Sequence, residues 1–250
     1  MNTVERFSDR VENYVKYRPG YPPGVLELFR REMNLRQDSI VADIGAGTGI
    51  SSKMFLENGN RVFGVEPNQA MRAAAENFLR DFPNFTIVDG TAEKTNLPDN
   101  SVDFVVAAQA FHWFDAAKTL SEFTRILRDK GFIALIWNER QLDTTAFLRE
   151  YEKLLIEFGS DYESVRHDNL DEEIFSAFFQ KEFRRKTFQN VQTVDLEGLK
   201  GRIHSSSYMP SACDERFFAM NAEIERIFAK YAENGKIQIL YSTNIFYAEF

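Results

Sequence analysis

Apolar and polar positions change their period twice along this chain. Between residues 40 and 138, compact apolar runs alternate with stretches of helical period. The runs at 40–45, 61–66, 85–89, 102–107 and 131–138 are rich in Val, Ile and Phe and bounded by Gly, Asn, Asp or Pro, which predicts strands. Segments 49–58, 68–80 and 115–127 predict helices, with Asn68 placed to cap the second. Val25 to Met33 predicts a helix ahead of the first strand. Strand–helix alternation of this kind means a parallel sheet with crossover helices.

After Trp137 the pattern loosens. Residues 143–158 and 171–180 predict helices rich in Phe, Glu and Leu, 184–194 alternates as a strand, and 196–204 and 214–233 are again helical. Residues 236–250 predict one long closing strand. Residues 1–24 form a polar, aromatic-rich lead that ends in the rigid turn Arg18-Pro19-Gly20-Tyr21-Pro22-Pro23. No repeat or low-complexity tract interrupts the chain.

Composition narrows the class. With 250 residues and 44% hydrophobic content the chain can bury one large α/β core. The apolar stretch around Phe104 to Phe111 is far too short to span a bilayer, and the first residues lack an apolar signal core, so the expectation is a cytoplasmic protein without membrane contact. Cys213 is the single cysteine, which excludes an intrachain disulfide. A net charge of −8 argues against a nucleic-acid partner. The basic cluster Lys181 to Lys186 is interrupted by Glu182 and reads as a solvated strand start.

The chemistry begins at Val41-Ala42-Asp43-Ile44-Gly45-Ala46-Gly47-Thr48-Gly49-Ile50, where an apolar strand runs into three glycines at alternate positions before a helix. Such a turn lets backbone N–H groups approach a ligand closely. The second strand, Arg61-Val62-Phe63-Gly64-Val65-Glu66, ends in an acid 21 positions after Gly45, where a carboxylate accepts hydrogen bonds from a ribose diol. The spacing is G-x-G-x-G rather than the G-x-G-x-x-G of a pyrophosphate cradle. Asp43 would repel a pyrophosphate by about 4 kcal/mol at ~4 Å and an effective dielectric near 20, yet suits a ligand bearing an ammonium. S-adenosylmethionine has adenosine, a sulfonium and an amino-acid tail, and no phosphate. The other reading of Asp43 is that it binds only nearby backbone N–H groups.

Further segments match the same pattern. They are Val65-Glu66-Pro67-Asn68 with Met71, Asp89-Gly90-Thr91-Ala92-Glu93, Leu97-Pro98-Asp99-Asn100-Ser101-Val102-Asp103, Ala107-Ala108-Gln109-Ala110-Phe111-His112-Trp113-Phe114-Asp115 and Leu127-Arg128-Asp129-Lys130-Gly131-Phe132. Over residues 40 to 137 the chain resembles the class I S-adenosylmethionine-dependent methyltransferases. Its opening, Arg6-Phe7-Ser8 and Tyr14-Val15-Lys16-Tyr17-Arg18-Pro19-Gly20-Tyr21-Pro22, is similar to the small-molecule branch that includes trans-aconitate methyltransferase-like proteins. The resemblance implies a Rossmann-like, doubly wound sheet of seven strands, mostly parallel, with the last strand antiparallel and helical cap insertions. It divides a single methyltransferase domain into a core of 35–138, 184–195 and 236–250, an N-terminal lid of 1–24, and cap insertions at 139–180 and 196–234.

It also implies contacts with S-adenosylmethionine, or its product S-adenosylhomocysteine. Gly45, Ala46 and Gly47 would back the amino-acid end, with Asp43, Tyr17, Arg18 and Gln109 nearby. Glu66, Pro67, Asn68 and Met71 would hold the ribose side, and Thr91, Ala92 and Glu93 the adenine edge.

Methyl transfer asks for in-line alignment and a dry cleft. The reactive end should lie at the carboxyl ends of the strands, so Gln109 and His112 are the catalytic candidates. Phe111, His112, Trp113, Tyr14, Tyr21 and Tyr208 are the acceptor-binding candidates. His112 would suit a hydroxyl acceptor as base; the other reading is a capping histidine beside Asp115. Arg18 would suit a carboxylate. His167 reads as solvated, and His204 as a capping group or part of a pocket turn. No ligand spacing for a metal repeats, and no G-x-S-x-G elbow is present.

The expected activity is therefore methyl transfer to a small organic acceptor, with O-methylation, including that of a carboxylate, foremost, by a monomer or weak homodimer. The competing readings are an NAD(P)-dependent oxidoreductase, which lacks its later glycine and Tyr-x-x-x-Lys pair here, and a methyltransferase-like binding protein without activity.

Overall fold

The computed structural model describes residues 17–162 and 172–250. After helix α1 (Pro23–Glu32) come strand β1 (Ile40–Ile44), α2 (Ile50–Glu57), β2 (Arg61–Val65), α3 (Gln69–Phe78), β3 (Phe85–Val88) and β4 (Val102–Ala108). A 3₁₀ turn at Phe111–Trp113 leads into α4 (Ala116–Ile126), β5 (Leu127–Arg140) and α5 (Ala146–Phe158). Then follow α6 (Glu172–Phe179), β6 (Arg184–Val194), α7 (Leu196–His204), α8 (Phe217–Tyr231) and β7 (Ile237–Glu249).

The described strands form one seven-stranded sheet in the order β3-β2-β1-β4-β5-β7-β6. The first five run parallel, and β7 is antiparallel to both β5 and β6. The order reverses between β1 and β4, which opens a crevice beyond their carboxyl ends. β1 and β4 are central and covered on both faces, hence their predominantly apolar runs, each broken by one aspartate, Asp43 and Asp103. β6 is one of the two edge strands; its first four residues are exposed, and from Phe188 it alternates half-buried with exposed residues.

Local signals set the element ends. Asn68 caps α3 by accepting from the Met71 amide at 3.0 Å. Thr145 accepts from the Leu148 amide at 3.1 Å, so α5 begins at Ala146, three residues later than its apolar period suggests. β5 starts at Leu127, ahead of the predicted 131, because the chain pairs Leu127 with Val102 before a bulge resets the register at Phe104 and Phe132.

Two apolar layers cover the sheet. Val25, Phe29, Phe55 and Leu79 pack on one face. Phe111, Phe123, Phe175, Phe178 and Phe179 pack on the other, against Trp137 and Phe246. A third cluster joins α5, α7 and α8 to Val194, Ile237, Ile239 and Tyr241. β7 pairs with β5 only from Tyr241 onward, so Ile237 to Leu240 extend past the end of β5, with β6 alongside. The helical cap is built on that projecting hairpin.

The 139–180 segment does not stay together as one cap insertion. α5 joins the cap, whereas α6 covers the sheet: the Phe175 ring stacks on Phe246 with centroids 3.8 Å apart and meets Trp137 edge-on at 5.7 Å. Its three phenylalanines fill the space over β5 and β7 that no crossover helix occupies.

Candidate active site

At the carboxyl end of β1 the chain turns through Gly45 with φ of +69°. A Cβ there would lie 2.6 Å from the Ala110 Cβ, so only glycine lets the loop after β1 meet the loop after β4. At Gly47, φ is +55° and a Cβ would meet nothing within 4 Å. That open space faces a cavity of about 670 Å³, a size suited to a cofactor together with a small second ligand.

Glu66 forms the opposite wall. Its Oε2 accepts from the Gly47 amide at 3.0 Å and its Oε1 from the Asn68 amide at 2.9 Å. Each carboxylate oxygen keeps a second lone pair for a ligand hydroxyl. Burial pushes the Glu66 pKa up, against the pull of the Asn68 and Gly47 amides. Pro67, Asn68 and Met71 line the same wall, and Thr91, Ala92 and Glu93 continue it. Burial raises the Glu93 carboxyl, but hydrogen bonds led by the Asp115 amide, at 2.9 Å, hold it below its ordinary value.

Asp43 does not line the cavity. It is fully buried, and its Oδ2 accepts from the hydroxyls of Ser51 at 2.7 Å and Ser52 at 2.6 Å, tying the first turn of α2 to β1. Its Oδ1 is buried without a hydrogen-bond partner. Burial raises the Asp43 pKa, with the two serines opposing. The open space at Gly47 and the two-oxygen face of Glu66 suit a ligand with a diol and without phosphate.

At the end of β4, Gln109 takes φ of +59°, a conformation uncommon outside glycine. Its side chain reaches β5: Nε2 donates to the Asn138 carbonyl at 3.2 Å, and Oε1 accepts from the Asn138 amide at 3.1 Å. Gln109, His112 and Trp113 line the cavity, and Trp113 is 41% exposed. His112 lines the cavity, and desolvation by the surrounding protein pushes its pKa down to about 4. Phe111 corrects the sequence expectation. The 3₁₀ turn throws its ring inward, onto Phe178 at 4.6 Å and Phe175 at 6.1 Å, and it does not reach the cavity.

Arg18 and Tyr21 line the cavity from the lead, and Arg18 donates to the Ser205 carbonyl at 3.2 Å. Tyr17 packs instead on Gly201 of α7 and accepts from Gln192 through its carbonyl at 2.8 Å. Tyr208 lines the cap side. Tyr14 and His167 lie outside the described residues. His204 is structural: Nε2 meets Asn221 Oδ1 at 3.1 Å and the ring lies on Phe217. No group of His, Cys, Asp and Glu suited to a metal exists among the described residues.

Sequence reasoning missed the cap's polar wall. Arg140, Tyr162, Arg202 and Tyr241 all reach the cavity. Arg140 pairs with Glu152, donates to the Tyr162 hydroxyl at 2.9 Å and lies over the Tyr151 ring. These residues come from separate elements and share no motif.

Comparison with known proteins agrees with this geometry. The family described as "Methyltransferase domain" matches residues 42–135. An uncharacterised methyltransferase-like protein of Schizosaccharomyces pombe is 27% identical over 98% of this chain and 96% of its own length. An uncharacterised methyltransferase of Mycobacterium tuberculosis is 36% identical over 64% of this chain, which spans 61% of that protein. Among solved structures, a candidate type II methyltransferase from Anaeromyxobacter dehalogenans shares the fold with a TM-score of 0.66 at 23% identity, covering 93% of this chain and 98% of that one.

Proposed function

We propose that the chain is a class I S-adenosylmethionine-dependent methyltransferase that methylates a small organic acceptor in the cavity between sheet and cap. The observation that carries the reading is the Gly45–Gly47 turn facing Glu66 across one cavity at the switch point of the sheet. S-adenosylmethionine, when bound, supplies an electrophilic methyl group on sulfur. The residues of the chain hold and align. Glu66 receives the ribose hydroxyls, the Thr91–Glu93 segment borders the adenine, and the Gly45–Gly47 backbone meets the amino-acid end. Gln109, His112 and Trp113 surround the reacting end, and the cap excludes water.

The acceptor atom is oxygen in this proposal, with a carboxylate favoured. A hydroxyl acceptor needs a base matched to neutral pH. His112, with its pKa pushed down to about 4, binds a proton too weakly to serve well. A carboxylate is ionised already and asks only for alignment. The net charge of −8 speaks for a small-molecule partner rather than nucleic acid. No described helix is long and apolar enough to cross a membrane. Cytoplasmic residence as a monomer or weak homodimer completes the proposal.

Calorimetry with S-adenosylmethionine and S-adenosylhomocysteine, followed by mass spectrometry of products from a metabolite extract, tests it. Cofactor binding with a methyl ester or ether as product supports it. Methylated nucleic acid or lysine as the sole product would sink the acceptor assignment. Cofactor binding without turnover on any acceptor would favour the inactive binding protein, and binding of NAD(P) alone would favour the oxidoreductase.

A further inference from the structure

α7 is capped by Asp195, whose Oδ1 accepts from the Gly198 amide at 2.8 Å, and its last turn carries Arg202 to the cap side of the cavity. Arg202 is 8% exposed. Its guanidinium donates from Nε to the Tyr241 hydroxyl at 3.4 Å and from Nη1 to the Ser206 hydroxyl at 3.3 Å. Both bonds are long, both acceptors are neutral, and Nη2 makes none among the described residues. Tyr151, Tyr208 and Tyr241 surround the group. Burial pushes the Tyr151 phenol up to about 12, so it brings no negative charge at neutral pH.

A buried cation without a carboxylate is costly, and folded proteins usually match it. The neighbouring Arg140 shows the usual solution, since Glu152 pairs with it. No acidic residue pairs with Arg202 among the described residues. It is a planar fork of donors, held by aromatic walls, lining the cavity where an acceptor must sit.

We propose that Arg202 is the anion-binding residue of the acceptor subsite, and that the acceptor is an organic acid whose carboxylate completes the unmatched guanidinium. The inference rests on the methyltransferase reading above. One uncompensated charge with a free edge suits a singly charged planar carboxylate better than a phosphate dianion, which asks for more donors. Two bonds from a guanidinium take two of a carboxylate's four lone-pair sites and draw charge from the others, which weakens it as a nucleophile. The anchored group is therefore a handle that orients the acceptor, and the methylated oxygen is a separate one.

The test uses the protein saturated with S-adenosylhomocysteine. A series of short alkyl and aryl carboxylates is titrated against it, each beside its neutral primary amide and its phosphonate analogue, with wild type, Arg202→Gln and Arg202→Lys. We expect at least one acid to outbind its amide tenfold or more in wild type. That preference should fall below about threefold in Arg202→Gln and partly return in Arg202→Lys, while affinity for S-adenosylhomocysteine is unchanged. A general packing defect would weaken acid and amide alike. Equal binding of acids and amides by wild type overturns the proposal whether or not the variants fold. So does an acid preference that survives in Arg202→Gln, and a tighter phosphonate would reassign the anion. Failure of wild type to bind S-adenosylhomocysteine is a different result, and it overturns the cofactor reading instead.

Discussion

Gln109 and Asn138 exchange two hydrogen bonds across the carboxyl ends of β4 and β5, at 3.2 and 3.1 Å. The exchange holds Gln109 in a left-handed backbone conformation beside the reacting end of the cavity. A non-glycine residue there stores strain of about 1 kcal/mol, which the paired strands enforce. Two substitutions separate strain from function. Gln109→Ala should lose the clamp and keep the strain; Gln109→Gly should lose both. Urea denaturation should show Gln109→Gly more stable than Gln109→Ala by about 1 kcal/mol. Both should lose turnover by about tenfold or more, because alignment of the reacting groups depends on this corner. Wild-type turnover in either variant would remove Gln109 from the site.

Glu66→Ala should weaken binding of S-adenosylhomocysteine by about tenfold to over a hundredfold, as expected for a lost charge-assisted pair. The pH dependence has a definite sign. Burial raises the Glu66 pKa above its ordinary value of 4.5. Binding requires the ionised form, so affinity should fall on acidification at a pH above that value. The stability contribution runs the other way: it is fully present below 4.5 and is lost as pH rises through the raised value. Calorimetry across an acid series checks the first, and an affinity flat down to pH ~4.5 would contradict it.

The glycine-turn half of this cavity was legible because it is local. A strand, a glycine turn, a helix and an acid-tipped second strand fall within Ile40 to Glu66, and their spacing alone brings Gly47 to Glu66. Orientation was harder to read. Asp43 sits two residues before Gly45, yet it turns into α2, and Phe111 sits beside two cavity residues while its own ring fills the core. Spacing places a residue near a site, but packing of the next element decides which way it points. The acceptor half was illegible for another reason. Arg140, Tyr162, Arg202 and Tyr241 converge from β5, the loop after α5, α7 and β7 only after the hairpin of β6 and β7 projects past the sheet. Nothing in their sequence neighbourhoods marks that convergence.

Glu122 on α4 anchors the loop that follows the cavity-lining residues Thr91, Ala92 and Glu93. Its Oε1 accepts from the Thr95 amide at 2.7 Å and hydroxyl at 2.6 Å, and Arg125 donates to both oxygens at 2.7 and 2.8 Å. The Arg125 guanidinium first, then the Thr95 groups, hold the Glu122 pKa down to about 2 against the cost of burial. A depressed carboxylate stabilises the fold above its unfolded value of 4.5, and that contribution is lost as pH falls toward 2. Since Arg125 is partly exposed, the contribution is about 1–2 kcal/mol after solvent screening. Glu122→Gln should therefore lose about that much stability at pH 7 and much less near pH 2.5, measured by urea denaturation. An equal loss at both pH values would show that packing, not charge, is at stake.

The cap and the lead are stitched together at the mouth of the cavity. Arg18 donates to the Ser205 carbonyl, Gln192 donates to the Tyr17 carbonyl, and the Tyr17 ring occupies the space where a Cβ on Gly201 would lie, 2.1 Å away. Any movement of α7 must therefore carry residues 17–21 with it. Gly159 follows α5 and Ser205–Ser211 follows α7, and these short polar joints suit hinges. We propose that this stitched unit closes over the cofactor as a lid. Hydrogen exchange with and without S-adenosylhomocysteine should then show 196–213 and 17–22 gaining protection together. The substitution Gly201→Val should uncouple them, because its side chain displaces the Tyr17 ring: 196–213 would still respond to the ligand and 17–22 would not. If only 43–50 and 66–71 respond in wild type, the cap is static packing and the lid is wrong. If 17–22 still follows 196–213 in Gly201→Val, the coupling runs through Arg18 and Gln192 instead.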